Sequence, residues 1–462
     1  MASFAEKWPV KTISIDLTED CTCRCHYCFC GEKTRAVMEK DTAFRTIDWL
    51  LDKNTSGDIP DLQVDLWGGE PLMQWPLARD VISYGNRRAE TMGKRIKWNM
   101  TTNGVLFTER VADDMLLAGV SFMLSLDGAK NTQDSNRPLA GGGSSYDVII
   151  ANLPNMRKVN PNLRARATIA EDDVGNMYSN FLHIHRDLGI EQYSHCLAHE
   201  SAWTHESLQT LEEQLRLIAE YYVEQKKAGN ERLWVKFIDD TVGKILYPRP
   251  LNFFCGAGKG YLSVSTEGAI YPCHRFHDFS DPRPWEEQFF AIGHIEKGVT
   301  NEKVRDIFLT SNTSLEFCRG CKMAQAGVCT GSCYAVNYTK SGHDIAIPAH
   351  SQCAEMHMVY GITTRVYNEL VHVPAFRRTL MYAAKERWRP LGCNMPSCDD
   401  ERIDLKFMVT EGTQRELDVL ESALASIYEA IQAVQDVLAA GISEREWRLS
   451  LLHELSKQEI QD

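Results

Sequence analysis

Residues 16–30 read Asp16-Leu-Thr-Glu-Asp-Cys21-Thr-Cys23-Arg-Cys25-His-Tyr27-Cys28-Phe-Cys30 and directly follow Thr12–Leu17, an apolar run that predicts a β-strand. Cys21, Cys25 and Cys28 have the spacing C-x3-C-x2-C, at which a tight loop can bring three thiolates around one [4Fe–4S] cubane. The fourth iron of such a cubane has no protein ligand and can bind a substrate or cofactor. A structural zinc site, the alternative, closes its tetrahedron with a fourth Cys or His, and ligation by His26 next to Cys25 would be geometrically awkward.

Short apolar runs alternate with longer helical patterns from the first strand to about Val235, which is the signature of βα units and a parallel sheet. A barrel or an open barrel is more economical than a sandwich for such a chain. The fold class predicted is therefore α/β, a partial (β/α)6 TIM-like barrel. The six strand candidates are Thr12–Leu17, Gln63–Trp67, Ile96–Thr102, Val120–Leu126, Arg164–Ala170 and Gln192–Ala198. The helical candidates are Asp41–Asp52, Pro76–Thr91, Thr108–Leu117 and Ser207–Lys227.

The cysteine loop resembles the motif C-x3-C-x-Φ-C of the radical S-adenosylmethionine (SAM) superfamily, with Tyr27 in the aromatic position. The resemblance implies that the open iron binds the amino and carboxylate groups of SAM. It further implies that electron transfer from the cluster cleaves the sulfonium and yields a 5′-deoxyadenosyl radical. Cys23 and Cys30 lie outside the spacing, and the motif gives them no role.

Segments at the ends of later strand candidates resemble the same family, and barrel enzymes place their chemistry at such ends. Gly68-Gly-Glu-Pro71 is similar to the family's GGEP segment, a backbone clamp for the SAM amino group. By the same resemblance Ser125 contacts the ribose, and Arg166 reaches the carboxylate of SAM. Each segment taken alone is as compatible with a turn or a surface charge, and their order along one chain favours cofactor binding. The implied cofactor contacts are Tyr27, Gly68, Gly69, Glu70, Pro71, Asn103, Ser125, Asp127 and Arg166.

Seven further cysteines follow between about Phe253 and Cys353, where the hydrophobic periodicity fades. We expect metal rather than a large apolar core to organise this segment. Gly268-x4-Cys273 and a C-x2-C-x7-C-x3-C core resemble the SPASM extension of radical SAM enzymes that modify peptides. Zinc ribbons are the alternative, although seven cysteines do not divide into two four-thiolate sites.

The SPASM resemblance implies two auxiliary [4Fe–4S] clusters in addition to the SAM-binding one. The first auxiliary cluster would have an iron open to a substrate thiolate, unless Cys393, Cys398 or a non-cysteine group closes it. The implied ligands are Cys255, Cys273 and Cys333 for the first auxiliary cluster, and Cys318, Cys321, Cys329 and Cys353 for the second.

SPASM-containing relatives act mostly on ribosomal peptides or proteins, so the resemblance implies a radical SAM peptide maturase. Anaerobic sulfatase-maturating enzymes carry an Asp after the cysteine that corresponds to Cys273, but this chain has His274 there, the one candidate catalytic residue. Residues 271–276, Tyr-Pro-Cys-His-Arg-Phe, look more like maturases that join a cysteine sulfur to a carbon of the same peptide. An intramolecular thioether cross-link is therefore favoured. The alternatives are carbon–carbon cross-linking, formylglycine-type oxidation of a protein side chain, radical modification of a small molecule, or a non-catalytic iron–sulfur carrier.

Composition and charge restrict the partners of the 462-residue chain. Its net charge of −13 opposes binding to nucleic acid. Its opening residues contain no signal-peptide core, and no run approaches the roughly 20 apolar residues that cross a bilayer. Its 15 cysteines therefore favour metal ligation in a reducing compartment. We expect a cytoplasmic enzyme that binds neither nucleic acid nor membrane.

The resemblance also implies partners and a division into parts. The partners would be a ribosomal precursor peptide and a reductant such as flavodoxin or ferredoxin. Because the first barrel strand lies so near residue 1, peptide recognition would fall to a separate protein or to the helical tail. The expected parts are 1–240, the radical SAM barrel; 241–358, the SPASM domain; and 359–462, a helical extension. Capping boxes at Thr413–Glu416 and Ser443–Glu446 predict helices in the last part.

Overall fold

The computed structural model describes residues 8–246, 255–310, 318, 320–325, 327–329 and 331–388. All of them belong to a unit that extends from Met1 to Cys393. The two C-terminal capping boxes, Cys393 and Cys398 lie outside the described residues.

Seven parallel strands, each paired with the next along the chain, form the centre of the molecule. The first six match the predicted strands to within two residues at each end, and the predicted α/β class with a parallel sheet is confirmed. The seventh strand is short and was not predicted. The strands are β1 (Thr12–Asp16), β2 (Asp61–Trp67), β3 (Arg95–Thr102), β4 (Ser121–Ser125), β5 (Arg164–Ile169), β6 (Gln192–Leu197) and β7 (Trp234–Val235).

Helices connect these strands and cover the sheet with apolar side chains. In Ser207–Lys227 the predicted stripe of Leu208, Leu211, Leu215 and Ile218 is buried, and a capping box between Thr204 and Ser207 starts the helix two residues earlier than predicted. The helices of this part are α1 (Lys40–Leu51), α2 (Lys53–Ser56), α3 (Trp75–Thr91), α4 (Glu109–Ala118), α5 (Lys130–Asn136), α6 (Ser145–Val159), α7 (Met177–Leu182), α8 (His205–Lys227) and α9 (Lys236–Leu246).

The segment with the second cysteine set continues the same sheet. Its first strand pairs in parallel with β1, and three short antiparallel strands follow, so the sheet has eleven strands in an open order. Leu262, Ile270, Ile292 and Phe308 are buried in the same apolar cluster as the barrel strands. The prediction that this segment has little apolar core is therefore wrong for residues 255–310. The strands are β8 (Tyr261–Val264), β9 (Ala269–Tyr271), β10 (Gly293–His294) and β11 (Gly298–Val299).

Helices complete the described part of the chain. They are α10 (Glu302–Thr310), α11 (Lys322–Gln325), α12 (Tyr334–Lys340), α13 (His350–Leu370) and α14 (Arg377–Trp388). Helix α13 packs against α8 and α9 and carries Cys353 in its first turn. The predicted domain boundaries, 240/241 and 358/359, fall within α9 and α13. Within the described ranges, no helix combines the length and apolar character that a membrane span requires.

Candidate active site

A cleft opens at the carboxyl ends of β1 to β6. The cysteine loop follows β1, residues 68–70 follow β2, and the ends of β3 to β6 supply the remaining wall. Its empty volume is about 960 Å³ when the space open to solvent is included. The residues named from the sequence that line it are Cys21, Cys25, Tyr27, Cys28, Gly68, Gly69, Glu70, Asn103, Ser125 and Arg166. Pro71, Asp127 and His274 are not part of this lining.

The three thiols of the motif have different environments. Cys21 is buried, whereas Cys25 and Cys28 are partly exposed, and the Cys28 amide donates to the Cys25 carbonyl at 3.1 Å. Burial raises the pKa of Cys21 and Cys25. The pKa of Cys28 is instead lowered to about 5, first by a hydrogen bond from the Cys30 thiol and also by Lys33. Cys28 is therefore the thiol of the three that ionises most readily.

Gly68 and Gly69 bring the segment after β2 against the start of the cysteine loop. The Gly69 amide donates to the Thr18 carbonyl at 2.8 Å, and the Glu70 amide donates to the Asp20 carbonyl at 2.9 Å. A Cβ atom on either glycine would lie 2.1 Å from one of these carbonyl oxygens, and Gly68 has a φ of +120°. The glycines thus permit the close approach of two main-chain segments, whereas the motif suggested an approach to a ligand.

Glu70 ties this segment to the end of β3. Its buried carboxylate accepts hydrogen bonds from Thr102 Oγ1 and from the Asn103 amide, both at 2.8 Å. Burial raises the pKa of Glu70 to about 7. The Asn103 side chain donates to Thr22 Oγ1 at 2.9 Å and lies 3.6 Å from Cys21 Sγ. Glu70 and Asn103 therefore hold the cleft wall against the cysteine loop.

Tyr27 contacts a buried ion pair that is formed by Asp127 and Arg137. Its hydroxyl donates to Asp127 Oδ2, and the guanidinium of Arg137 lies over its ring at 5.4 Å. Asp127 Oδ1 accepts from Arg137 Nη2 at 2.9 Å and from the Thr168 amide at 2.8 Å. Both oxygens of Asp127 are thus engaged by protein groups, and this residue supports the wall rather than facing the cleft. Arg137 does line the cleft, but it belongs to no motif and was missed in the sequence.

Arg166 and Ser125 are neighbours across β5 and β4 and both face the cleft. Arg166 Nη2 lies 3.3 Å from Cys196 Sγ on β6, and Cys196 also lies 3.7 Å from Thr168 Oγ1. Cys196 lines the cleft, yet sequence analysis gave it no role because it stands apart from both cysteine sets. Its place near the end of a predicted parallel strand was the one available signal.

The cysteines from Cys255 to Cys353 fall into two groups, in each of which neighbouring thiols contribute to a pKa shift. Burial raises the pKa of Cys273, and the thiols of Cys333 and Cys255 raise it further. The pKa of Cys353 is raised to about 11, mainly by burial and to a smaller extent by the neighbouring thiols of Cys329, Cys318 and Cys321. These neighbours fall into the same two groups as the ligand sets that the resemblance implied, and their role as cluster ligands stays a prediction. Among the described residues, no three His, Cys, Asp or Glu side chains converge tightly enough to hold a single metal ion. A cubane presents separate iron corners to its thiolates and needs a wider spacing.

His274 lies beside the cleft. Its Nδ1 is 2.5 Å from the Tyr261 hydroxyl, and its ring packs against that of Trp67 at 4.4 Å. Burial lowers the pKa of His274 to about 3, so its imidazole is neutral at physiological pH. The next residue, Arg275, lines the cleft and pairs with Glu200 at 2.5 Å. Cys273, a predicted ligand of the first auxiliary cluster, is thus two residues along the chain from a residue of the cleft lining.

Three N–H groups of this lining are buried without a partner in the part of the chain that the structure describes. They are Trp67 Nε1, Arg137 Nε and Arg275 Nε. A buried donor without an acceptor is costly, and a ligand rich in acceptor atoms would relieve that cost. Sequence analysis singled out none of these three residues.

Comparison with known proteins matches one part of the chain to a family. The model of the Radical SAM superfamily matches residues 15–168. The solved structure of histidine-tagged anSMEcpe with bound AdoMet has a TM-score of 0.65 at 16% identity, over 81% of this chain and 99% of that one. At this identity the likeness is one of fold.

Two curated relatives are similar in sequence. The PqqA peptide cyclase of Granulibacter bethesdensis is 23% identical over 289 residues, 60% of this chain and 72% of its own length. The AdoMet-dependent heme synthase of Methanosarcina barkeri is 23% identical over 281 residues, 57% of this chain and 76% of its own length. The family match includes the cysteine loop and the cleft ends of β2 to β5. The chain is therefore an enzyme whose residues 15–168 match the Radical SAM superfamily, as its motifs predicted, and the proteins that it is similar to include SPASM-type maturases.

Proposed function

We propose that this enzyme is a radical SAM peptide maturase that cross-links a ribosomal peptide, with a thioether as the bond formed. The observation that carries the proposal is the cleft, in which three loop thiols and a donor-rich wall meet at the ends of the parallel strands. When bound there, a [4Fe–4S] cluster and SAM supply a 5′-deoxyadenosyl radical that takes a hydrogen atom from the substrate.

The residues of the cleft fit that cofactor pair. Cys21, Cys25 and Cys28 would hold the cluster and leave one iron open. SAM carries a carboxylate, ribose hydroxyls and adenine nitrogens, all acceptors, and the partnerless N–H groups of Trp67 and Arg137 complement such a ligand.

Two side chains would orient SAM, and others would hold the wall around it. Arg166, at the edge of the cleft beside Ser125, would bind the carboxylate, and Ser125 would bind the ribose. Glu70 and Asn103 fix the wall, as described above, so that these contacts are positioned before SAM arrives.

The later cysteines support a peptide with its own thiol as substrate. Cys255, Cys273 and Cys333 form a group of three, which would leave one position on a first auxiliary cluster for a substrate sulfur. Cys318, Cys321, Cys329 and Cys353 would close a second auxiliary cluster. The relationship to a peptide cyclase agrees with a peptide substrate. A precursor peptide and a flavodoxin- or ferredoxin-type reductant would be the partners.

Radical modification of a small molecule is the second candidate, because the relatives include a heme synthase. The three-thiol group at Cys273 favours the peptide, since a site open to a thiolate has no evident use for a substrate without one.

The test is anaerobic incubation of the reconstituted, reduced chain with SAM and a Cys-containing candidate peptide, read by mass spectrometry. A cross-link removes two hydrogen atoms from the peptide and releases 5′-deoxyadenosine. Cys28→Ala should abolish both products, whereas Cys23→Ala, a buried thiol of the same loop outside the motif, should retain them. SAM cleavage with an unchanged peptide would reject the peptide assignment. Iron near four rather than about twelve atoms per chain would reject the three-cluster arrangement.

A further inference from the structure

A lysine outside the cluster motif points at the sulfur of Cys28. Lys33 Nζ donates to Cys28 Sγ at 3.1 Å, and Lys33 is partly buried at the cleft. One ligand thiol of the proposed cluster is therefore contacted by an ammonium group.

A segment from beyond the barrel packs against Lys33 and the main chain of Cys30. The Phe279 amide donates to the Cys30 carbonyl at 3.0 Å, and Lys33 Nζ lies 4.9 Å from the centre of the Phe279 ring. Gly31, with a φ of +72°, turns the chain so tightly that a Cβ atom would lie 2.3 Å from Asp278 Oδ1. This packing fixes the distance from Lys33 to Cys28.

We propose that Lys33 raises the reduction potential of the cluster on Cys21, Cys25 and Cys28 by donating a hydrogen bond to the Cys28 sulfur. The inference rests on the proposed function, since it requires that cluster. Reduction adds negative charge to the cluster and its sulfur ligands, and a donor that is also a cation stabilises the reduced form more than the oxidised form. Lys33 is thus a tuning residue that makes the first electron transfer easier.

The contacts of other residues at the loop differ from that of Lys33. The Arg24 guanidinium contacts the carbonyl groups of Cys21 and Cys23 and the Asp20 carboxylate. Cys21 Sγ accepts from the Cys23 amide at 3.4 Å and lies 3.6 Å from Asn103 Nδ2, and both of these donors are neutral. The contact from Lys33 to Cys28 thus differs from those at Cys21 in bringing a positive charge to the sulfur.

The test is an EPR-monitored redox titration of the reconstituted full chain, in which the signal that changes on addition of SAM identifies the cluster in the cleft. The variants are Lys33→Met, Lys33→Gln and Lys33→Arg. We expect Lys33→Met to make reduction at least tenfold less favourable, which is about 59 mV for a one-electron couple. Lys33→Arg retains a charged donor and should recover most of the shift.

Matched controls are Lys40→Met and Cys23→Ala. Lys40 pairs with Asp80 at 2.6 Å and lies 5.5 Å from the Phe44 ring. Cys23 is a buried thiol of the same loop, and Cys23→Ala keeps the backbone amide that donates to Cys21 Sγ. Both controls should titrate like the parent. Equal potentials in the parent and Lys33→Met would overturn the inference. If Lys33→Met lost iron, Lys33→Gln, which removes the charge but keeps a donor, would decide it by the same comparison. A parent chain with no SAM-responsive signal would instead refute the proposed function.

Discussion

Replacing Asp127 with Asn removes the negative charge that faces the buried guanidinium of Arg137. The Asp127 side chain is fully buried and that of Arg137 is 10% exposed, and their atoms Oδ1 and Nη2 lie 2.9 Å apart. Removing one partner of such a pair costs about 3–5 kcal/mol, because the other charge stays buried without compensation. Every 1.4 kcal/mol is roughly a factor of ten, so the unfolding equilibrium should shift more than a hundredfold toward the unfolded chain.

Urea denaturation of the anaerobically purified chain, followed by far-ultraviolet circular dichroism, measures this loss. Asp147→Asn is the matched control, because Asp147 pairs with Lys130 at the surface with 61% of its side chain exposed. That change should cost less than about 1 kcal/mol. Arg137→Met added to Asp127→Asn should recover part of the stability, since no charge is then left unpaired. The reasoning would be refuted if Asp127→Asn stayed within about 1 kcal/mol of the parent, or if the second change brought no recovery.

Three further changes test the remaining walls of the cleft. Gly69→Ala puts a Cβ atom 2.1 Å from the Asp20 carbonyl oxygen, so the main chain that forms this wall must shift. We expect SAM binding, measured by equilibrium dialysis, to weaken roughly tenfold or more. The control Gly141→Ala has open space around the new Cβ atom and should leave SAM binding unchanged. Glu70 has its pKa raised by burial from 4.5 to about 7, so its contribution to stability is fully present below pH 4.5 and is lost as the pH rises through 7. The stability advantage of the parent over Glu70→Gln should therefore fall by about 2 kcal/mol between roughly pH 5 and pH 8 in urea denaturation, and a pH-independent difference would contradict the assignment. Arg166→Lys removes the ability of the guanidinium to donate two parallel hydrogen bonds to the SAM carboxylate, and it should raise the dissociation constant for SAM roughly tenfold. An unchanged dissociation constant would count against Arg166 as the carboxylate ligand. Arg164→Lys, on the same strand and over the Trp234 ring at 4.7 Å, should bind SAM like the parent.

The six long parallel strands could be predicted because each is an apolar run of ordinary strand length with a helical pattern after it. Strand β8 could not, since its four residues lie between glycines and cysteines, and its pairing with β1 joins positions about 250 residues apart. The polar helix α5 has no apolar stripe and was missed for that reason. Local periodicity thus predicts elements that bury one face, and not those that tertiary pairing imposes.

The residues of the cleft likewise divide into those that the sequence could identify and those that it could not. Cys21, Gly68 and Arg166 could be placed in it because each belongs to a short motif at a strand end. Arg137 and Cys196 belong to no motif, and the one sequence signal for either was the place of Cys196 near the end of a predicted strand. Asp127 shows the limit of a motif, which identifies a strand end but not the direction in which a side chain points.

The pairing of β8 with β1 also bears on how this molecule can be divided. The strand that delivers the cysteine loop is an interior strand, because β2 borders it on one side and β8 on the other. A fragment that stopped after α9 would leave one edge of β1 without a partner strand, and an uncovered edge of this kind invites self-association. The barrel is therefore not an interchangeable module, and chimeras that exchange the segment bearing the second cysteine set must carry a strand compatible with Thr12–Asp16.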